Sequence, residues 1–594
     1  MNILVLIKEV PDMERVKFDR ERGVIDRASA SGEINPLDLY ALQAAVDLKN
    51  KHGGHIVAVS MGPEKSENSL RDAYARGADR CVLVTDKKFA GSDTLATSRI
   101  LAAAISQMAY DLILCGEKTV DGDTAQVGAE VAELLDIPHS YYVENVDAIT
   151  KKEITVITGE ICGKKQSRVM KLPALMAVNK GIAKPLLPSL KKKLDSVAVN
   201  IDRVGMAEIG DLVDPAHLGT KGSPTKVSKI VIPKDVKRNG VIFRDDLKGF
   251  LSAVRGVIRR PKLEAPREDK VQAGKAAIKS DNLGAVLIIG ETKGHEVHPV
   301  TYELMGKGRE LADTFGCQLE CLILSGSDRL VPHIAGAFYI MRAKEFEFAE
   351  ECLYKANIVQ FIKERKPRSV LVGATNFGRS LAPRVAAALK TGLTADCTEL
   401  LAADNGGLIQ IRPAFSDNIL AHIISGVYPH MATVRYGEFP APADTEEAPD
   451  IIEIPPYKTG YAGTKITAVS DSGSVDLASA DVIVACGRGL KQIEDISLIQ
   501  KLAEHLGGRV GFSRTLVDAG FAAADRQIGY SGIRVRPKLY IACGISGAPQ
   551  HLAGMKESGT IIAINRDASA PIFGICDIGY VGDLYQVVEL LTAV

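Results

Sequence analysis

Four glycine-containing turns in the last part of the chain carry the residues best suited to binding a large anion. They lie at residues 486–491, 513–520, 527–532 and 544–555, and a fifth segment at 561–567 is an apolar run that ends in Asn and Asp. Glycine lets backbone N–H groups approach phosphate oxygens, and the N-termini of helices add a positive field. Apolar runs that end in such turns and continue into helices therefore predict a nucleotide site at one edge of a parallel sheet.

A second candidate site is a loop in the first part of the chain, at residues 121–128. The loop follows an apolar run and precedes a helical pattern, so Thr124 and the backbone N–H groups from Ala125 to Gly128 are placed to bind phosphate. The same residues also suit an ordinary N-capped helix, and the two interpretations are compatible. The candidate binding residues of this loop are Asp121, Asp123, Thr124, Gln126, Val127 and Gly128.

Composition limits the classes of protein to which the chain can belong. It has 594 residues, of which 46% are hydrophobic, and 73 basic residues balance 73 acidic ones. The length predicts several domains, and the balanced charge argues against a nucleic-acid partner. The ten cysteines include no Cys-x-x-Cys pair, which disfavours a zinc or iron–sulfur site. Apolar runs are too short for a membrane span or a signal peptide, so we expect a cytoplasmic protein without direct membrane insertion.

The order of strand and helix patterns indicates a diverged internal repeat in the first two-thirds of the chain. The first copy extends from a strand at 3–7 to a helix at 126–135, and the second from a strand at 285–289 to a helix at 381–390. A short strand is also expected at 345–347. This alternation predicts an α/β protein in which parallel sheets carry helices on both faces, with three nucleotide-binding-type domains.

Breaks in the alternation set the predicted domain boundaries. Residues 184–256 indicate an extended arm that ends in a helix, and residues 259–282 are charged, contain two prolines and indicate an exposed linker. The predicted division is a first domain with its arm at 1–258, the linker at 259–282, a second domain at 283–450 and a C-terminal domain at 451–594.

The C-terminal motifs resemble the large (alpha) subunit of electron-transfer flavoproteins. Residues 513–520, 544–555 and 563–573 are similar in order and spacing to its flavin domain, and residues 283–440 resemble its first domain. The resemblance implies a C-terminal Rossmann-like domain that binds FAD.

Residues 1–258 are similar to the small (beta) subunit of the same family, through Asn35-Pro36, residues 75–80 and the loop at 121–128. The resemblance therefore implies both subunits fused in one chain, small subunit first. It also implies that the two βα domains are related to adenine-nucleotide hydrolases, and that the chain is most similar to the electron-bifurcating, anaerobe-type group.

The family resemblance assigns roles near the flavin ring. It places Arg514 over the ring, where a guanidinium favours the reduced, negatively charged flavin and raises its potential. It makes His551 a hydrogen-bond donor near the ring's O2, and Ser531 a hydroxyl that bonds the ring at N5. Tyr530 departs from the Gln that the family usually has beside that hydroxyl, so the contact at this point differs. Without the resemblance, Arg514 reads as a surface charge and His551 as a capping or core histidine.

The remaining predicted FAD ligands fall into three groups. Arg488, Gly489, Lys491, Ser546, Gly547 and Gln550 are assigned to the phosphates and the ribityl chain. Asn565 and Asp583 are assigned to the adenosine end. Ser513, Gln527, Gly529 and Gly544 complete the site.

The resemblance also gives the loop at 121–128 a nucleotide, which is AMP in simple carriers and a second FAD in bifurcating members. Thr94, Thr97 and Ser98 would supply extra hydroxyls for a diphosphate, so we expect FAD here, although an Asp-Thr helix cap explains part of that segment. The equivalent loop of the second repeat, residues 373–378, is expected to have lost its nucleotide. Three arginines, Arg384, Arg412 and Arg435, are expected either in surface salt bridges or near a flavin.

The leading functional hypothesis is an electron carrier that takes electrons from acyl-CoA-type or other flavin dehydrogenases, or from NADH. A bifurcating member would deliver them to a dehydrogenase flavin and to ferredoxin or flavodoxin, and a simple carrier would deliver them to a membrane quinone oxidoreductase. The chain offers no acid–base or nucleophile constellation, so we assign no catalytic residue. The alternative from another class is a nucleotide-binding regulator without redox chemistry. A conventional NAD-dependent dehydrogenase is disfavoured because no Gly-x-Gly-x-x-Gly fingerprint follows the first strand.

Overall fold

The structure is a computed structural model that describes most of the 594 residues. The described part leaves out residues 13–16, 20–23, 27–30, 233–237, 239, 260–283, 415–418, 443–447, 459–462, 472–476, 478–479, 530–531 and 593–594. The prediction for Ser531 and most of the expected linker at 259–282 lie outside it.

Contacts divide the chain into two compact units. The first unit is Met1–Ile232 with Ala273–Ser472, and the second is Pro233–Gln272 with Gly473–Val594. The first unit holds both repeats, and the second holds the glycine-rich turns. The finer division into four segments stays a prediction.

The first repeat is built on a ten-stranded sheet. Seven strands at one end are parallel, and they turn the carboxyl ends of the first-repeat strands towards one edge. In spatial order the strands are Asp202–Val204, Arg80–Val84, His55–Met61, Asn2–Leu6, Leu112–Gly116, Ala174–Val178, His139–Ile149, Glu153–Thr158, Lys164–Lys171 and Thr464–Asp471. The packed helices are Pro36–His52, Glu67–Arg76, Thr94–Ser106 and Val127–Leu134. Strands such as Asn2–Leu6 read as continuous apolar runs because both faces of this sheet are covered.

The second repeat has a parallel sheet of seven strands. In spatial order they are Leu393–Cys397, His430–Val434, Ser369–Gly373, Val286–Gly290, Leu319–Ser325, Ala337–Arg342 and Asp450–Glu453. Its helices are Pro299–Phe315, Glu351–Arg365 and Asn376–Leu389. The prediction of a strand at 345–347 is wrong, because Lys344–Phe346 is a short 3-10 helix. The buried strand at this place in the order is the preceding apolar run, Ala337–Arg342.

The two repeats exchange strands. The arm strand Thr225–Val231 pairs with Ile419–Ser425 in an antiparallel sheet that continues through Leu408–Ala414 and Glu399–Ala402. In the other direction, Thr464–Asp471 pairs with Lys164–Lys171 of the first sheet. Each repeat therefore completes a sheet of the other, and the sequence patterns did not predict this.

A buried ion pair lies between the repeats. Arg168 Nη1 is 2.5 Å from Glu351 Oε2, and both side chains are fully buried. Arg168 also donates to Gln166 Oε1 at 2.9 Å, and Ser380 Oγ donates to Glu351 Oε1 at 2.7 Å. These hydrogen bonds satisfy both charges, which is what keeps a buried pair from being costly.

Shorter elements complete the first unit. They are the helices Leu190–Val197, Met206–Ile209 and Gly219–Gly222, and the strand pairs Glu9–Pro11 with Gly32–Ile34, Lys17–Asp19 with Val24–Asp26, and Thr292–Lys293 with Glu296–Val297. Among the described residues, no helix combines the length and apolar character needed to cross a membrane.

The second unit has one parallel sheet of six strands. In spatial order these are Val241–Arg244, Ile578–Val581, Thr560–Asn565, Leu539–Cys543, Val482–Cys486 and Arg509–Phe512. Its helices are Leu247–Arg259, Ile496–His505, Arg514–Asp518, Pro549–Leu552 and Leu584–Thr592. The prediction of an α/β protein with several mostly parallel sheets is confirmed.

Candidate functional site

The strand order of the second unit creates a crevice where the chain reverses direction across the sheet. From the strand Val482–Cys486 the chain goes to Arg509–Phe512 on one side, and then returns to Leu539–Cys543 on the other. Ligands of open parallel sheets bind at such a switch point, outside the carboxyl ends of the strands. The turns at residues 487–491 and 544–548 lie at this point, and we call them the switch-point turns.

Glycines let the switch-point turns contact each other through their backbones. A Cβ on Gly489 would lie 2.6 Å from the Cα of Gly544, and a Cβ on Gly487 would lie 2.7 Å from the carbonyl oxygen of Gly544. Gly544 itself has φ of +63°, which L-residues with side chains adopt only with strain. The N–H of Gly489 donates to the carbonyl of Gly544 at 3.1 Å. The turns therefore contact each other backbone to backbone, while the side chains of Arg488, Lys491 and Ser546 remain exposed.

Ser513 and Arg514 follow the neighbouring strand and begin the helix Arg514–Asp518. Ser513 Oγ is buried and has no hydrogen-bond partner among the described residues. The Arg514 side chain is 67% exposed, and its one described ion pair, with Asp518, is long at 3.4 Å. A buried hydroxyl without a partner and an exposed guanidinium at the carboxyl edge both suit a ligand in the crevice.

His551 is buried and neutral in the second unit. Its Nε2 lies 2.9 Å from Tyr540 Oη, which belongs to the strand Leu539–Cys543. Within the described part of the chain, Nδ1 makes no hydrogen bond of good geometry, although the carbonyl of Ile528 lies near enough to the ring to favour its protonated form. Burial lowers the pKa of His551 to about 4, and the carbonyl of Ile528 opposes that shift. The ring can therefore donate one N–H, but it carries no positive charge near neutral pH.

The loop around Gln527 and Gly529 lies beside the segment that carries His551. Gln527 is buried, and its carbonyl accepts from Ile533 N at 2.7 Å. Gly529 has φ of +145°, and a Cβ on Gly554 would lie 2.5 Å from Gly529 N. The loop is therefore packed backbone to backbone against the His551 segment.

The predicted phosphate and ribityl ligands are mostly exposed. Arg488, Lys491, Ser546 and Gln550 are all at the surface of the unit. The N–H of Lys491 donates to Tyr585 Oη at 2.9 Å, and its Nζ lies 5.4 Å from the centre of that ring. Gly547 has φ of +85°, and a Cβ there would lie 2.4 Å from Ile572 N.

The predicted adenosine ligands already make intramolecular hydrogen bonds. Asn565 Nδ2 donates to the carbonyl of Ile545 at 2.8 Å, and its Oδ1 accepts from Asp567 N at 2.9 Å. Asp583 Oδ1 accepts from Tyr585 N at 2.9 Å, and its other oxygen pairs with Arg566. These bonds stabilise the turns, and a contact between either residue and adenosine stays a prediction.

The second candidate site, the loop at 121–128, has unusual backbone geometry. Asp123 and Ala125 have φ of +53° and +56°, which is uncommon for residues with side chains. The loop leads into the helix Val127–Leu134, whose N-cap Gln126 makes no side-chain capping bond in the described structure. A Cβ on Gly128 would lie 2.7 Å from Cys115 Sγ, so glycine lets this helix pack closely on the strand. Strain and uncapped N–H groups together fit a phosphate site.

Two salt bridges and two hydrogen bonds hold this loop in place. Lys8 Nζ lies 2.7 Å from Asp121 Oδ2, and Lys118 Nζ lies 2.8 Å from Asp123 Oδ1. From the second repeat, Arg412 Nη2 donates to the carbonyl of Gly122 at 2.7 Å, and Gln126 Nε2 donates to the carbonyl of Leu393 at 3.0 Å. The two predicted acidic ligands and Gln126 thus hold the loop in shape.

Two of the three hydroxyls expected to bind a diphosphate contact a carboxyl group. Thr94 Oγ1 lies 3.2 Å from Glu130 Oε1, and Ser98 Oγ lies 2.8 Å from Glu130 Oε2. Thr97 and Thr124 are half-buried at the surface of their elements. The direction of the Thr94 hydroxyl therefore depends on Glu130, which the sequence analysis did not select.

In the second repeat a carboxyl group fills the equivalent position. Both oxygens of Glu291 are within 2.9 Å of Thr375 Oγ1, the N-cap of the helix Asn376–Leu389. A Cβ on Gly378 would lie 3.1 Å from Glu291 Oε1, so the carboxyl lies against the start of this helix. Phe377 is buried in the core of the repeat. This arrangement gives a physical reason for the expected loss of a nucleotide here.

Arg384, Arg412 and Arg435 do not form surface ion pairs. Arg384 and Arg412 are buried, and the Arg384 Nη2 atom lies 2.8 Å from Glu133 Oε2. Arg435 lies 2.8 Å from Asp396 Oδ2 with its side chain 15% exposed. The expectation of surface salt bridges is wrong, because Arg384 and Arg412 contact the first repeat through Glu133 and the carbonyl of Gly122, and Arg435 is largely buried against Asp396.

Several residues of these sites were missed because their roles depend on distant neighbours. Glu130 and Glu291 read as ordinary glutamates in helical or turn sequence. Tyr540 could have been found from the sequence. Its hydroxyl lies within the apolar run Leu539–Cys543, and a buried hydroxyl needs a hydrogen-bond partner. Among the described residues, no group of three or more His, Cys, Asp or Glu is arranged to hold a metal ion.

Comparison with known proteins gives matches across most of the chain. The model of the electron transfer flavoprotein domain matches residues 22–206 and 286–458, which cover both repeats. The chain belongs to the electron transfer flavoprotein family. The model of the electron transfer flavoprotein FAD-binding domain matches residues 476–556, which contain the switch-point turns.

Individual relatives match about half of this chain. The chain is 43% identical over 331 residues to a protein of Acetobacterium woodii named lactate dehydrogenase (NAD(+),ferredoxin) subunit LctC, covering 54% of this chain and 79% of that protein. It is 41% identical over 316 residues to the electron transfer flavoprotein subunit alpha of Thermoanaerobacterium thermosaccharolyticum, covering 52% and 96%. It is also 41% identical over 318 residues to protein FixB of Clostridium saccharobutylicum, covering 52% and 95%. These electron transfer flavoprotein relatives support electron transfer as the general role.

The residues at the switch point fit the FAD that this family model implies. Gly489 on these turns is exposed and carries no side chain, and the exposed Arg488, Lys491 and Ser546 near it supply polar groups suited to phosphates. Ser513 Oγ and His551 Nδ1 are buried polar atoms that the described chain leaves without hydrogen bonds. Arg514 supplies an exposed positive charge beside them.

We predict that Gly489→Ala removes FAD from the second unit. The new Cβ would lie 2.6 Å from the Cα of Gly544, so the switch-point turns must separate, at a cost of roughly 1–3 kcal/mol in unfolding free energy. The FAD content of purified protein and its urea unfolding measure both effects. Gly574→Ala is the matched control, because a Cβ there meets nothing within 4 Å. Equal FAD content and stability in both variants would contradict the prediction.

We also predict an acid-sensitive contribution from His551. Its folded pKa of about 4 lies below the ordinary value of 6.5, so the stabilisation is complete above pH 6.5 and is lost as pH falls through 4. The loss should reach about 3 kcal/mol between pH 7 and pH 4. Urea unfolding of the wild type, His551→Gln and the exposed-site control His505→Gln measures it. The prediction fails if His551→Gln keeps the full wild-type dependence on pH.

Proposed function

We propose that this chain is an electron-transfer flavoprotein in which a beta-like part precedes an alpha-like part. The family domain matches both repeats, and the FAD-binding domain match follows the second one. Alpha-subunit relatives cover about half of the chain, which leaves enough length for a beta-like part. The strand exchange between the repeats supports a stable pairing of the two parts.

The single observation that carries the proposal is the backbone contact between the switch-point turns. It places two glycine turns side by side at the carboxyl edge of the second sheet, at the switch point where open parallel sheets bind nucleotides. Bound FAD would supply the electron storage, accepting and releasing one or two electrons. The residues of this chain would do the rest. Ser513 and His551 would donate hydrogen bonds, and Arg514 would stabilise added negative charge.

We propose that the loop at 121–128 binds a second adenine nucleotide. The strained backbone at Asp123 and Ala125 and the uncapped start of the helix Val127–Leu134 support a phosphate there. In a simple carrier the nucleotide is AMP. A second FAD at this loop would make the protein a bifurcating carrier that oxidises NADH, in keeping with the name of the LctC relative, which includes NAD(+) and ferredoxin.

An exposed apolar patch in the first unit supports docking of a protein partner. Leu187, Leu190 and Leu194 are 87%, 74% and 65% exposed on or just before the helix Leu190–Val197. Three exposed lysines at 191–193 accompany them. Apolar side chains ringed by positive charge suit a flavin dehydrogenase that presents an apolar pocket with acidic residues at its edge. Ferredoxin or flavodoxin and a quinone oxidoreductase are the proposed acceptors, and the cytoplasm is the proposed compartment.

The proposal is tested by counting nucleotides. Purified protein is denatured, and the released FAD and AMP are separated by chromatography and expressed per chain. We expect either two FAD, or one FAD and one AMP. A folded protein that contains no flavin would overturn the proposal, and one FAD without a second nucleotide would overturn only the part about the loop at 121–128.

Arg514 should set the reduction potential of the flavin in the second unit. Replacing it with Gln removes a positive charge that favours the reduced, negatively charged ring, so the midpoint potential should fall by about 60 mV, a tenfold change for one electron. Spectroelectrochemical titration of the holoprotein measures this. The control is Arg509→Gln, an exposed arginine at the opposite, amino end of the strand Arg509–Phe512, which should leave the potential unchanged. A potential unaltered in Arg514→Gln would contradict the assigned role.

A further inference from the structure

Glu130 connects the first turns of two helices beside the loop at 121–128. It lies on the helix Val127–Leu134 and is 1% exposed. Thr94 and Ser98, whose hydroxyls lie 3.2 and 2.8 Å from its two oxygens, belong to the helix Thr94–Ser106. The carboxyl group is therefore placed directly behind a threonine that the sequence assigns to the nucleotide.

The protonation state of Glu130 decides where the Thr94 hydroxyl can donate. A carboxylate accepts only, so the ionised form accepts from both hydroxyls and both point inwards. A protonated carboxyl donates one hydrogen bond and accepts the other. Ser98 is fully buried and keeps donating to Glu130, whereas Thr94 is half-buried and can accept that proton. The hydrogen of Thr94 is then free to point outwards.

Burial and charged neighbours favour the protonated form at neutral pH. Burial raises the pKa of Glu130 to about 8; Asp93 adds to the shift, and Arg99 and the two hydroxyls oppose it. The helix Asn376–Leu389 packs on the same helix, but its Arg384 pairs with Glu133 and its Arg379 with Asp396.

The strands behind Glu130 bring no charge to it. Burial lowers the pKa of His139 well below its ordinary value, so this histidine at the start of His139–Ile149 is neutral. The strand Ala174–Val178 contains no titratable side chain. Asp93 and Arg99 are therefore the charges that face Glu130, and they have opposite signs.

We propose that Glu130 is a positioning residue of the nucleotide site at 121–128. When protonated, it holds the Thr94 hydroxyl so that it donates to a phosphate oxygen. When it loses its proton to solvent, it turns that hydroxyl inwards and places a negative charge behind the phosphates. Nucleotide binding at this loop is thus linked to a proton. The inference rests on the proposed function, because it requires a nucleotide at this loop.

The test measures nucleotide affinity against pH in the full-length holoprotein. The second nucleotide is removed by dialysis, AMP is added back, and its dissociation constant is measured at pH 7, 8 and 9. We expect wild-type affinity to fall at least fivefold from pH 7 to pH 9. Glu130→Gln keeps one donor and one acceptor and cannot ionise, so it should bind AMP as the wild type does at pH 7 and change less than twofold by pH 9.

Thr94 variants separate a positioning role from a structural one. Thr94→Val should lower the affinity for AMP at pH 7 about as much as a rise to pH 9 lowers it in the wild type. Thr94→Ser, which keeps the hydroxyl, should restore the affinity. The inference is overturned if Glu130→Gln retains the wild-type pH profile. If that variant does not fold, a flat wild-type profile, or a Thr94→Val variant that binds normally, overturns it as well.

The design distinguishes this inference from the proposed function. FAD of the second unit is the internal reference, and its content should stay constant across pH 7–9 in every variant. Wild-type protein that binds no AMP and holds no second nucleotide at pH 7 would refute the proposed loop site itself. AMP binding without the predicted dependence on pH and Glu130 would refute only the inference.

Discussion

The close contact between two glycine turns is the constraint on which the proposed FAD site of the second unit depends. The backbones at Gly489 and Gly544 lie so close that a single Cβ on either would enter the other's space. The parallel sheet, whose order reverses between Val482–Cys486 and Leu539–Cys543, brings these turns together. The same reversal places Ser513, Arg514 and the His551 segment around the crevice. Sheet order, glycine placement and the polar groups are therefore consequences of one arrangement.

The first unit shows how equivalent fold positions can hold side chains of different chemistry. Lys8 and Glu291 both follow the first strand of their repeats, and both reach the loop before the equivalent helix. Lys8 pairs with Asp121 and leaves the start of its helix open, whereas Glu291 brings a carboxyl group to Thr375 at the helix start. Burial raises the pKa of Glu291 to about 8, so this group is largely protonated at neutral pH. The repeats keep their strands and helices, and the proposed difference in nucleotide binding is assigned to the residues at the sheet edge.

Local patterns in the sequence predicted much of the fold. Apolar runs such as Val482–Cys486 and helix starts such as Thr94 are set by nearby residues, and most strands and helices of the repeats lie within a few residues of their predicted bounds. The strand exchange through Thr225–Val231 and Thr464–Asp471 was not predictable, because it joins residues that are about two hundred to three hundred positions apart. The buried pair Arg168 and Glu351 was missed for the same reason. Charged residues in an amphipathic pattern read as surface until a distant partner is known.

The candidate sites likewise combine features that local sequence predicts with features that depend on distant residues. Glycine spacing marked the switch-point turns, since close backbone approach needs glycine wherever the partner lies. The hydrogen-bond partners of polar ligands were not visible in the sequence. Asn565 and Asp583 brace turns, Asp121 and Asp123 pair with lysines, and Thr94 contacts Glu130. Which of their remaining hydrogen-bonding groups meet a cofactor depends on geometry that local pattern does not encode.

The most direct measurement of the central claim is a crystal structure of the yellow holoprotein. We expect flavin electron density against the switch-point turns, outside the carboxyl ends of Val482–Cys486 and Leu539–Cys543, with the Arg514 guanidinium beside the ring. Flavin bound elsewhere in the second unit, or a crevice between these turns that holds only solvent in a fully loaded protein, would contradict it.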